Sequence, residues 1–266
     1  MYRTIQNMNH PISPTTEFYD FLQFAFSHFN QSLFNNNLPN CMMTIQRQKS
    51  VMGYFSADRW SNSEGLYAHE IALNPSYFAS HKLIEVLQTL VHEQCHLWQY
   101  THGKNKSRTS YHNREWAEKM QSIGLIPSHN GLPGGKKTGQ TMSDYPEKNG
   151  HFVISCMELL KSGGHLQWID TEPSFDQSCQ PRNIDHQNIL DLEEYGKREN
   201  LENLTILSCP VKIEIPETSI TQCTQKRKSK SRYTCPNCEV NVWGKMGLNL
   251  ICGDCKSYFI ISEKNK

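Results

Sequence analysis

Two histidines four residues apart, His92 and His96, bracket the segment Val91-His92-Glu93-Gln94-Cys95-His96-Leu97-Trp98, which follows a run with helical periodicity. On a helix that spacing puts both imidazoles on one face, where they can reach a single ion. Glu93, directly after the first histidine, is then placed to polarise a bound water. Zinc lowers the pKa of such a water from about 16 to about 7, which yields a hydroxide-like nucleophile at neutral pH. The pattern thus constrains both fold and chemistry: a helix must be buried enough to hold a metal, and a third ligand must fold back onto it. A zinc hydrolase is expected, with Glu93 as the catalytic base.

The chain around this helix has room for one or two domains at 266 residues. Ser13-Pro14 offers an N-cap and a proline at the first helical position. Phe18, Phe21, Leu22, Ala25, Phe26, Phe29 and Leu33 then recur at helical spacing. Short strands are expected over Met42 to Gln48, Val51 to Phe55 and Tyr67 to Leu73, with a turn at Ser61 to Gly65. A helix follows from about Ser80 to about Tyr100, and another from near His112 to about Ile123. The order helix, small antiparallel sheet, helix, helix describes an α+β domain. Beyond Leu125, a Pro/Gly-rich loop and the polar stretch from Lys136 to Gly150 show little periodicity, and Phe152 to Leu160 reads as one more short helix. Residues from about 162 to 225 read as a polar linker, with only Leu204 to Leu207 and Val211 to Ile215 resembling strands.

A catalytic zinc site needs three protein ligands and one open position. His102 stands ten residues after His92, as in the pattern HExxHxxGxxH, but Gln99 occupies the glycine position where the chain must turn. His112, at the start of the next helix, is the preferred third ligand. Here the residues resemble a known family. Leu90 to Trp98 and Tyr111-His112-Asn113-Arg114-Glu115-Trp116 are similar to the SprT-like zinc metalloproteases, which include proteases that degrade proteins crosslinked to DNA. In that family the third ligand lies in an HGxEF or HGxEW segment; Asn113 departs from the glycine, whereas Glu115 and Trp116 match. Gly53-Tyr54-Phe55, Glu70 to Asn74 and Gly134 to Gln140 also resemble bacterial members.

The resemblance implies a zincin-like domain over residues 14–160, with His92, His96 and His112 holding the catalytic zinc. Extended protein substrate is expected to pair with an open sheet edge, for which the strand Tyr67 to Leu73 is the candidate. Tyr54, Tyr111 and His102 remain alternatives for stabilising the oxyanion. Cys95 reads as a small packed residue and His69 as an ordinary strand histidine.

A second metal site is expected near the C-terminus. Cys235, Cys238, Cys252 and Cys255 form CxxC-x13-CxxC, in which two knuckles complete a closed tetrahedral site of structural zinc. Similar ribbons close many bacterial SprT-like proteins. For so small a segment, spanning residues 233–262, the metal supplies much of the folding free energy. Just before it, Lys226, Arg227, Lys228, Lys230 and Arg232 put five cations into seven residues of a chain whose net charge is only +1. With Tyr233, Trp243, Tyr258 and Phe259 nearby, this run within the 161–232 linker is expected to contact nucleic acid. The competing view makes it a solvated linker beside a ribbon whose aromatics are its own core.

The sequence expectation is therefore an α+β zincin-like metalloprotease domain, a linker and a small β ribbon, with one catalytic and one structural Zn²⁺. The expected partners are a protein substrate and DNA, with no membrane. The rival is a nucleic-acid-binding ribbon protein whose SprT-like domain binds metal but cleaves little. The ten cysteines and the absence of an apolar leader in residues 1–10 lead us to expect a cytoplasmic protein.

Overall fold

The computed structural model describes residues 13–78, 81–108, 110–170 and 231–261. The chain divides into two compact units, Met1–Lys212 and Ile213–Lys266. Among the described residues no helix is long and apolar enough to cross a membrane.

The first unit is built around helix α2, Leu83–His102, which is buried on nearly every side. Its first turn is closed by Glu85, whose carboxylate accepts the Lys82 N–H at 2.9 Å. Helix α1, Pro14–Phe34, lays Phe21, Leu22, Ala25, Phe26, Phe29 and Leu33 into the same core as Leu87, Leu90 and Val91 of α2. Most of the apolar face expected from the sequence is this buried stripe. The helix begins at Pro14 as expected, although the Ser13 hydroxyl meets the Thr16 hydroxyl at 2.8 Å rather than capping a backbone N–H. Between α1 and α2, buried Gln94 donates to the Phe26 carbonyl at 2.9 Å, fixing the rotation of one helix against the other.

Against α2 packs a sheet of three strands: β1, Met42–Ile45; β2, Gly53–Ser61; and β3, Tyr67–Leu73. Their order is β1-β3-β2. This corrects two expectations. The sheet is mixed, because β1 runs parallel to β3, and only β2 pairs with β3 antiparallel. Tyr67–Leu73 is the central strand, paired with β2 on one side and from Glu70 to Leu73 with β1 on the other, so it is not the edge of the sheet. Ile71 and Leu73 are fully covered, as a strand between two others requires. In this sheet the strand with a free side beside α2 is β2. The turn after it falls where expected, with Asn62 Oδ1 accepting the N–H groups of Glu64 and Leu66.

Helix α3, Arg114–Ser122, and helix α4, His151–Lys161, complete the helical set. Between them, where the Pro/Gly-rich and polar sequence predicts loop, lies a hairpin: β4, Leu125–Ser128, pairs antiparallel with β5, Ser143–Pro146. Pro127 and Pro146 sit within these strands, which argues against them by propensity, yet a pair this short tolerates both.

In the second unit, β6 (Ser231–Thr234) lies between β7 (Asn241–Gly244) and β8 (Ile260–Ile261), all antiparallel. Tyr233 is its core. Its hydroxyl donates to the Lys245 carbonyl at 2.6 Å and accepts the Leu248 N–H at 3.0 Å. It is therefore removed from the aromatics available for stacking, whereas Trp243 and Tyr258 are about two-thirds exposed, at 64% and 66%. The strand-like segments Leu204 to Leu207 and Val211 to Ile215 lie outside the described residues, as does most of the linker.

Helix α2 and strand β2 approach closely at Gly53. A Cβ built there would sit 2.8 Å from Thr89 Cγ2 and 3.0 Å from the Ala72 carbonyl oxygen. Gly53→Ala should force the helix off the sheet and cost about 1–3 kcal/mol. Urea unfolding followed by circular dichroism would show it, and an unchanged midpoint would refute the close approach.

Candidate metal centre

His92 and His96 project from the same face of α2, and their ring centroids lie 5.1 Å apart. The chain then leaves the helix at Gly103 and returns to deliver His112 one residue before the cap of α3. A hydrogen-bonded knot sets this return. Asn113 caps α3 by accepting the Trp116 N–H at 3.0 Å. The same side chain accepts from Gln99 Nε2 at 2.7 Å and donates to the Asn105 carbonyl at 2.8 Å. The Glu115 carboxylate takes the backbone N–H groups of Lys104 and Asn105, each at 2.8 Å. Against partial desolvation, these donors hold Glu115 below the usual carboxylate range. Gln99 and Asn113, the two residues that departed from glycine-bearing patterns, are partners in this knot.

The result brings one nitrogen each of His92, His96 and His112 within 4.8 Å of one another. His96 Nε2 and His112 Nε2 are 3.1 Å apart. Two nitrogens on a tetrahedral ion, each at 2.0–2.1 Å, would be separated by roughly 3.3 Å. The spacing therefore fits a shared ion. His102 is not in the cluster: its Nε2 meets the Asn37 carbonyl at 2.7 Å. Tyr111 is engaged by the Arg108 guanidinium, 4.7 Å from its ring centre.

The outer nitrogens fix the tautomers. His92 Nδ1 lies 2.8 Å from Asp144 Oδ2, and His112 Nδ1 lies 3.2 Å from the Gly139 carbonyl. A carbonyl and a carboxylate accept, so both Nδ1 atoms carry the proton and both Nε2 lone pairs face inward. Gly139 also exchanges two backbone bonds with His112, at 2.7 and 3.1 Å. Asp144 is itself buried and oriented by Gln88, which donates to it at 2.6 Å. No sequence signal pointed to Asp144, which comes from the unexpected strand β5.

Electrostatics favour the ligand form. Burial, then the neighbouring His92, pushes the His112 imidazole down to about 4. His96 is also lowered, well below the ordinary value, by burial and by both other histidines. These rings therefore stay neutral near pH 7, with lone pairs available. Trp116, fully buried, forms the floor: its ring lies 4.4 Å from His112, 4.9 Å from His92 and 5.3 Å from His96. Glu93 lies beside the triad, 6% exposed, where burial pushes its carboxyl up to about 7, against His92 and a bond from the Phe55 N–H of β2. Cys95 is buried against the Trp116 carbonyl, and burial raises its thiol well above the ordinary value, as suits a packing residue.

In the second unit Cys235, Cys238, Cys252 and Cys255 also gather their sulfurs within 4.8 Å. Each knuckle repeats one geometry: Glu239 N–H to the Cys235 carbonyl and Lys256 N–H to the Cys252 carbonyl, both at 2.9 Å, with both donors at φ 56°. The Cys238 and Cys252 sulfurs are 3.7 Å apart, close to the roughly 3.8 Å of two thiolates on one tetrahedral zinc. Backbone N–H groups lower the Cys235 thiol to about 7, whereas its crowded neighbour Cys255 is pushed up to about 12. Such crowding suits a cation that would carry all four as thiolates. The cluster is consistent with a zinc ribbon. Of the expected nucleic-acid contacts, Lys226, Arg227, Lys228 and Lys230 lie outside the described residues. Arg232 lies on β6 directly opposite Trp243.

The SprT-like family model matches residues 22–135, which contain the histidine triad and Glu93. A protein of Salmonella typhimurium described as an uncharacterized protein in the mucB 3′ region is 48% identical over 54 residues, 20% of this chain and 73% of that protein. The chain belongs to the SprT-like family. No solved structure matches it significantly. Within this SprT-like unit His112 joins His92 and His96 over the Trp116 ring, and Glu115 holds the loop that delivers His112.

Asp144→Asn should leave the fold intact and weaken zinc binding by about 10–100-fold, because the neutral amide orients and polarises His92 less well. Competition with a chromophoric chelator measures this. Unchanged affinity would show that the Asp144–His92 contact has no part in metal binding.

Proposed function

We propose that this protein is a zinc-dependent endopeptidase with a zincin-like catalytic domain, acting on DNA-associated or DNA-crosslinked proteins. The observation that carries the reading is the conjunction of three inward Nε2 donors with a buried, unspent carboxylate, Glu93, tied to the free side of β2. A site needed only for structure would be closed by a fourth protein ligand, as in the cysteine cluster. Zinc held by His92, His96 and His112 supplies Lewis acidity toward the scissile carbonyl and the attacking water. Glu93 takes a proton from that water and delivers it to the leaving amine, so that water adds across the peptide bond. Extended substrate would pair with β2, whose Phe55 N–H already points at Glu93.

Support for the DNA-linked part of this reading comes from the run Lys226, Arg227, Lys228, Lys230 and Arg232, and from exposed Trp243 opposite Arg232. Cations with a stacking platform are the general design for single-stranded nucleic acid.

Wild type and Glu93→Gln should be compared on a basic protein substrate, with and without single-stranded DNA. Cleavage should fall by at least about 100-fold in the variant, which should retain its zinc. Equal cleavage by both would sink the protease reading. Deleting residues 226–266 should abolish DNA binding, and unchanged affinity would reject the ribbon's role. Metal analysis should give about two zinc ions per chain, falling to one without the ribbon cysteines. An unchanged count after their removal would dismiss the second site.

A further inference from the structure

Strand β2 does not run evenly. Its pairing with β3 is regular from Gly53 to Ser56, slips between Ser56 and Trp60, and resumes at Trp60 opposite Ala68. At the slip stands Asp58, in the left-handed region at φ 49°, which a non-glycine residue holds only where its surroundings insist. Two side chains supply that insistence. His69 Nδ1, from the central strand, accepts the Asp58 N–H at 3.0 Å. Tyr100, from α2, donates its hydroxyl to Asp58 Oδ2 at 2.6 Å. The rings of His69, Tyr100 and Phe55 form a triangle, with His69 5.1 Å from Tyr100 and Phe55 5.9 Å from each. The Lys106 ammonium sits over the Tyr100 ring at 5.2 Å. The bond to Asp58 raises the Tyr100 phenol above its ordinary value.

The spacing gives the cluster its meaning. Tyr100 follows Glu93 by seven residues, which is two helical turns and about 10.5 Å along nearly one line of α2. Asp58 follows Phe55 by three residues, about 10 Å along a strand. Glu93 holds Phe55 and Tyr100 holds Asp58, so helix and edge strand are joined by two rungs whose spacings match. Bulges on edge strands beside active sites commonly end pairing or re-aim a side chain.

We propose that Tyr100, Asp58 and His69 form a clasp that fixes the edge strand to the metal-bearing helix and ends the substrate-pairing edge at the bulge. Extended polypeptide then gains backbone pairing along Gly53 to Ala57 and none past Asp58, so one side of the scissile bond is read and the other is left free. These are positioning residues. The proposal rests on the peptidase reading above, and its test separates the two.

Two nested series of fluorogenic peptides, lengthened residue by residue on either side of the scissile bond, would be assayed as KM with wild type. The same series would be assayed as Kd with zinc-loaded Glu93→Gln. Lengthening should tighten binding on one side only. Tyr100→Phe and Asp58→Gly, the latter compatible with the left-handed backbone, should raise KM for the long peptides about fivefold and leave kcat within about twofold. Asp58→Asn, whose amide oxygen still accepts, should restore most of the difference. Amide exchange at Asp58 should quicken in Tyr100→Phe. Equal gain on both sides, wild-type KM in Tyr100→Phe, or a fall in kcat alone would overturn the clasp. Peptides bound one-sidedly by Glu93→Gln but uncleaved by wild type would leave the clasp standing and remove the peptidase reading.

Discussion

Everything in the first unit depends on turning the chain back sharply enough after α2 to set a third imidazole against two already on the helix. The knot of Gln99, Asn105, Asn113 and Glu115 performs that turn with five hydrogen bonds at 2.7–3.0 Å. One of these bonds, Trp116 N–H to Asn113, satisfies a group that the start of α3 would otherwise leave unpaired, and the others pin the loop after α2. Closure of the histidine cluster and capping of α3 are thus one structural event. Gly139 completes it from the other side by holding both the backbone and Nδ1 of His112.

The same closure sets the charges. His96 and His112, crowded over an indole, remain neutral because burial and the neighbouring imidazoles disfavour their protonation. One carboxylate, Asp144, sits behind the ligands and another, Glu93, beside them. The first is fully engaged by His92 and Gln88, whereas the second keeps capacity for a proton. Two acids within one small site are given different environments by their neighbours rather than by their chemistry.

Much of this was legible in the residues. Helical spacing of phenylalanines and leucines marked α1 and α2, because those helices bury long continuous stripes. His92, Glu93 and His96 are fixed by local periodicity, and the cysteine knuckles by local turns. What the sequence hid was non-local. Asp144 stands 52 residues from the histidine it orients, in a strand ending at a proline. The parallel pairing of β1 and the central place of β3 depend on how strands meet, which alternation within one strand does not encode. Asn113 looked like a departure from glycine because its role requires Gln99 and Asn105, which no short motif contains.

The central claim is that one ion is held by three histidines drawn from two elements. Diffraction from crystals of the zinc-loaded protein, collected on both sides of the zinc absorption edge, tests it directly. The account predicts an anomalous peak at about 2.0–2.1 Å from the Nε2 atoms of His92, His96 and His112, with Glu93 unligated. A peak whose ligands include His102 or Glu93, or exclude His112, would contradict it.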